Sequence, residues 1–207
     1  MDLSLSEYRA LVAKAFRGAG YPWGLAEEGA VAAQALASND IAASAAVVSL
    51  LRQAGPVPTA TTMPDMSWGS TAGWLCPIST GAALADTRPS LDPSGLELAM
   101  VAEPALMGPL VQRLASDARS ITIRWDNGAL SCDTASLTLS GAPATGTCPV
   151  TIESTEVAAP TDSPRCTRVE VDEESLAALT EFAQLTYAPA TEASRLAGAG
   201  SGLNDND

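Results

Sequence analysis

The side chains able to do chemistry in this chain gather near its two ends. Toward the start, Arg17, Trp23, Glu27 and Glu28 lie close together in sequence. An arginine and two carboxylates beside a tryptophan can hold a small charged ligand or a partner protein. Toward the end, Arg195 precedes Gly198-Ala-Gly-Ser-Gly202, and Asp205 and Asp207 close the sequence. Backbone amides around Gly198 and Gly200 can form an anion-binding nest, with Arg195 adding charge. Asp205 and Asp207 offer oxygen ligands to a hard cation. Each group also has a plainer reading. Trp23 can simply pack a helix corner, an exposed pair of Arg17 with Glu27 or Glu28 adds little stability, and terminal glycines and acids are often solvated. The glycine run is not a P-loop, because it lacks G-K-[ST] and no helix follows it.

The chain has no histidine. Serine–histidine and cysteine–histidine machinery therefore cannot be built within it, and the commonest transition-metal ligand is missing. Proton transfer would fall to Asp, Glu, Cys, Tyr or Lys14, the single lysine. Cys76, Cys132, Cys148 and Cys166 form no C-x-x-C pair, so neither a zinc ribbon nor a redox motif is supported. No catalytic residue, metal site or cofactor is assigned.

The elements that must position these groups follow from composition and period. At 207 residues and 46% apolar content, the chain can bury a core. Aromatics are 4% of residues, so many small contacts should surround a few anchors: Trp23, Trp68, Trp74, Trp125, Phe16 and Phe182. The net charge of -13 makes nucleic acid and anionic membranes poor partners and leaves a protein partner or a small molecule. Residues 1–20 carry spaced charges and no apolar h-region, which argues against a signal peptide. No apolar run reaches membrane-spanning length. The expectation is a cytoplasmic protein with reduced thiols.

Ser4-Leu5-Ser6-Glu7 is a capping box that opens a helix over 3–20, with Tyr8, Leu11, Val12, Ala15 and Phe16 on its buried face. A second helix follows Tyr21-Pro-Trp-Gly24, and a third runs from about Asp40 to Ala54. Pro56, Pro58, Pro64 and a run of threonines make 56–94 a connecting region. Both a functional loop and a plain linker with docked tryptophans fit it. Leu96–Val101 reads as a strand and 103–118 as a helix limited by Pro109. Ile121–Trp125 and Ala129–Asp133 form a hairpin around Asp126-Asn127-Gly128. Leu137–Leu139, Val150–Glu153 and Thr167–Val171 read as further antiparallel strands. Asp172 caps a last helix. Helices first and strands later indicate an α+β fold: a helical unit over 1–55, the connector over 56–94, and an α+β core over 95–207. Together they are expected to form one compact domain.

The segment Lys14-Ala-Phe-Arg-Gly-Ala-Gly-Tyr-Pro-Trp-Gly-Leu-Ala-Glu-Glu28 and the ending Ala193-Ser-Arg-Leu-Ala-Gly-Ala-Gly-Ser-Gly-Leu-Asn-Asp-Asn-Asp207 resemble the two signature ends of the DUF3726 family of uncharacterised bacterial proteins. The resemblance extends over the whole chain and is most specific at these ends, departing by single residues such as Asn204. It carries no reaction. It implies that the C-terminus is ordered and docks near the corner made by Arg17 to Glu28. The first helices also resemble the N-terminal helical segment of the non-Rossmann malate/lactate dehydrogenases. That family's histidine motif is missing, so no dehydrogenase activity is carried over. Two functional readings follow. One is a non-catalytic accessory protein or small subunit beside a metabolic enzyme. The other is a small-molecule enzyme or binder using carboxylates and arginine where the two ends meet.

Overall fold

The structure, a computed structural model, describes residues 1–53, 61–62, 68–70, 72–89, 91, 95–156 and 165–187. Its elements run β1 (Asp2–Ser4), α1 (Leu5–Gly18), α2 (Trp23–Ser38), α3 (Ser44–Leu51), β2 (Thr61–Thr62), β3 (Trp68–Gly69) and α4 (Pro77–Thr87). They continue with β4 (Leu96–Ala102), α5 (Gly108–Val111), β5 (Arg119–Trp125), β6 (Gly128–Cys132), β7 (Leu137–Gly141), β8 (Thr147–Glu156), β9 (Arg168–Glu170) and α6 (Glu173–Gln184). The fold is α+β, as its sequence order indicates.

Five strands form an antiparallel sheet in the order β4-β8-β5-β6-β7, and the two-residue strands β3 and β2 extend it beyond β4. Period-2 alternation splits the sheet into two faces. Leu98, Ile121, Ile123, Leu130, Cys132, Val150 and Ile152 point into the core. Register places Glu97, Thr151, Arg124 and Ser140 in one row on the opposite face, with Glu153, Thr122, Ser131 and Thr138 in the next. The helices supply the other side of the core, with α1 lying against both α2 and α6.

The capping box forms as its residues dictate. Glu7 N–H donates to Ser4 Oγ at 3.2 Å, and Ser4 N–H donates to Glu7 Oε2 at 2.8 Å. Those two bonds satisfy donors that the first helical turn leaves free. At the other end of α1, a Cβ on Gly18 would come within 1.8 Å of the Phe182 carbonyl oxygen. Only glycine lets α1 and α6 approach this closely.

Three expectations need correction. Residues 77–87 are not connector but helix α4, with Ile78, Thr80, Gly81 and Leu84 buried. Pro77 in its first turn starts it, since proline's missing N–H has no role there. The helix expected over 103–118 is broken: 3-10 turns at Pro104–Met107 and Gln112–Leu114 flank the single turn α5. Pro104 and Pro109 each remove a donor, and Glu103 enters in the left-handed region at φ 42°. The antiparallel strand expected near 167–171 is present as Arg168–Glu170, paired with β1, Leu3 opposite Val169. Trp23, expected as a core anchor, is 67% exposed.

Candidate docking ridge

The corner between α1 and α2 has a closed inner side and an open outer one. Inside, Phe16 and Tyr21 meet edge to face with ring centroids 4.8 Å apart. Gly29 leaves room for the Phe16 ring, which a Cβ there would approach to 2.6 Å. Tyr21 Oη lies 3.6 Å from Cys76 Sγ, and burial pushes the phenol far up, beyond any acid–base use near neutrality. Tyr8 is likewise raised to about 12 by burial, although its hydroxyl accepts from Ser44 at 3.1 Å.

Gly20, at φ 92°, turns the chain outward, and Pro22 delivers Trp23 as the first residue of α2. The Arg17 guanidinium carbon sits 3.4 Å from the centre of the Trp23 ring. Such stacking suits the planar, weakly hydrated guanidinium. One turn earlier on the same face of α1, Lys14 Nζ lies 5.5 Å from the centre of the Tyr187 ring and donates to its hydroxyl at 3.1 Å. Tyr187 is 61% exposed and Leu185 66%. The Gly18–Phe182 contact brings these two residues to the end of α1. The result is a ridge of Trp23, Arg17, Lys14 and Tyr187, flanked by Leu185.

The carboxylates that sequence placed beside Arg17 have other partners. Glu27 Oε2 is 3.4 Å from Arg9 Nη2. Glu28 takes Arg113 in a two-point pair, at 3.1 and 2.5 Å, and these hydrogen bonds hold the guanidinium more firmly protonated than usual. The structure thus joins Arg17 to Trp23, while Glu27 and Glu28 pair with Arg9 and Arg113. Arg195, Gly198, Gly200, Asp205, Asp207 and the expected docking of the C-terminus lie outside the described residues.

Sequence reasoning missed two further features. Lys14 and Tyr187 belong to the ridge; their only signal was that Lys14 is the sole lysine. On the polar face of the sheet, an open groove of about 510 Å³ is lined by Glu97, Arg124, Asp126, Pro149 and Thr151. There Arg124 Nε donates to Glu153 Oε2 at 2.8 Å. Among the described residues, no helix is long and apolar enough to cross a membrane.

Fold and surface together define a small α+β protein whose most distinctive surface is an exposed ridge of aromatic rings and cations. Residues 3–90 match the family described as "Protein of unknown function (DUF3726)". The match contains Lys14, Arg17 and Trp23 and ends well before the C-terminal stretch in which the second resemblance was seen. No curated protein and no solved structure matches the chain.

Proposed function

We propose that this chain is a non-catalytic accessory protein of the cytoplasm, acting beside a metabolic enzyme and docking it on the Trp23–Arg17–Lys14–Tyr187 ridge. The observation that carries the reading is a tryptophan 67% exposed with an arginine stacked on its ring. Tryptophan, tyrosine and arginine are the residues that most often dominate interface energetics. With Trp23 67% exposed, about 100–170 Å² of it remains to be buried on docking, a gross gain of about 3–4 kcal/mol at about 25 cal/mol per Å². Both cations are already held against rings, so less side-chain freedom is lost when a partner covers them.

The alternative, a carboxylate–arginine site for a small molecule, has less support. Glu27 and Glu28 are each committed to a different arginine. Purification from the native host tests the proposal. A stoichiometric enzyme partner should co-purify with the wild-type chain and with Arg124→Ala on the sheet face, and should be lost from Trp23→Ala and Arg17→Ala. A solitary chain, or a partner retained by both ridge variants, overturns it.

A further inference from the structure

Resting on that docking reading, we infer that the partner presents an acidic, apolar segment: carboxylates set among bulky aliphatic or aromatic side chains. The charge pattern carries the inference. Acids outnumber bases 24 to 11, and Arg9, Arg52, Arg113, Arg124 and Arg168 each stand within 4 Å of a carboxylate. Among the described residues Lys14 and Arg17, like Arg88, Arg119 and Arg165, are in no ion pair, but Lys14 and Arg17 are each placed against an exposed ring.

A guanidinium stacked through its face keeps its N–H donors in its own plane, directed past the edge of the ring. The group is therefore held in position and, among the described residues, its donors are not taken up by a hydrogen bond, which suits a two-point bond to a carboxylate. Trp23, Leu185 and Tyr187 surround the two cations with exposed apolar surface. A carboxylate alone would leave that surface wet, and an apolar segment alone would bury two unpaired charges. A segment carrying both satisfies both. A basic partner would repel the two cations, and a polyanionic nucleic acid would meet the net charge of -13 along its whole length, whereas a short acidic, apolar segment meets the cations locally.

Full-length chain labelled with nitrogen-15 tests this against three synthetic peptides of about twelve residues. They share one Leu/Phe pattern and differ only in carrying Glu, Gln or Lys at the intervening positions. The readout is the indole N–H resonance of Trp23, assigned with Trp23→Phe. The Glu peptide should shift it saturably, the Gln peptide should bind about tenfold more weakly, and the Lys peptide should produce no shift, since one charged hydrogen bond is worth about a factor of ten. Arg17→Gln should weaken the Glu peptide about tenfold and Arg124→Gln should not, with unchanged circular dichroism showing that both fold. Raising salt from about 0.05 to about 0.5 M should weaken the Glu peptide further. Lys and Glu peptides binding alike, succinate competing as well as the Glu peptide, or no saturable shift with any peptide would each overturn the inference. Its failure is separable from that of the docking reading. A ridge-dependent native partner with no Glu preference sinks only the chemistry. Glu-selective binding with no native partner sinks only the accessory role.

Discussion

Replacing Glu103 tests the reasoning most sharply, because its side chain and its backbone make opposite demands. The residue directly follows β4, is 3% exposed, and lies in the left-handed region at φ 42° and ψ 59°. Its Oε1 accepts from Ser49 Oγ at 2.6 Å and from the Gly146 N–H at 2.8 Å, tying α3 to the start of β8. Hydrogen bonds to a charged acceptor contribute about 1.5–3 kcal/mol each. Ser49 and Gly146 are only half-buried, so water can replace part of what is lost. Glu103→Ala should therefore cost about 3 kcal/mol, the low end of the sum for two such bonds. Glu103→Gly loses the same two bonds but relieves the left-handed backbone, so it should be more stable than the alanine variant by about 1 kcal/mol. Glu103→Gln keeps an acceptor oxygen and loses only its charge, so it should cost about 1 kcal/mol. Urea unfolding followed by circular dichroism reads all three. In a chain of this size each kcal/mol corresponds to about 2–4 °C in Tm. An alanine variant as stable as wild type would refute the bonding argument, and a glycine variant weaker than alanine would refute the strain argument.

Further expectations concern other parts of the molecule. Gly18→Ala should lower stability by about 2 kcal/mol or more, because its Cβ would strike a backbone oxygen that no rotamer change can move; a neutral result in urea unfolding would mean that α1 and α6 separate easily. Burial tends to raise the Asp133 carboxyl, but hydrogen bonds from the Ser136 side chain and the Ala135 and Ser136 amides outweigh it and hold the group below the usual carboxylate range. A group depressed in the folded state stabilises above its unfolded value and loses that contribution as pH falls through the folded one. The stability gap between wild type and Asp133→Asn should thus be full at neutral pH and close below about pH 4; a gap constant with pH contradicts this. Thiol titration of the native chain should label Cys148 and Cys166 while sparing buried Cys76 and Cys132, whereas all four should react after denaturation without reductant. Burial pushes the Cys132 thiol up, which further slows it. Early labelling of Cys132 would contradict the packing described.

Local signals were legible where one residue type has one strong use. Ser4 and Glu7 formed the capping box, Asp172 capped α6, and Asp126-Asn127 turned the hairpin between β5 and β6. The α4 helix was hidden because Ser79, Thr80 and Gly81 blur the helical period and Pro77 reads equally as a breaker or a start. Glu103 was illegible for a different reason. A lone glutamate resembles any surface acid until distant Ser49 and Gly146 close on it. Trp23 was misplaced because its size argues for burial, whereas its position as the first residue of α2 turns it outward. Of the candidate site, Arg17 and Trp23 were legible together. Tyr187 was not, since only the close contact of α1 with α6 brings it to Lys14.

The pairing of β1 with β9 sets an order of events during synthesis. The amino group of Met1 donates to Val171 O at 2.5 Å, and α1 finds one of its two flanking helices in α6. Helix α1 leaves the ribosome first, yet α6 emerges long after α2 is complete. Its apolar face must therefore remain incompletely covered while the whole sheet is made, and the helical layer closes last. Residues 3–90, the stretch that matches DUF3726, thus lack their own wall on that side. Expressed as a fragment, it would expose the α6-facing surface of α1 around Gly18 and would need the remainder of the chain, supplied in trans, to settle.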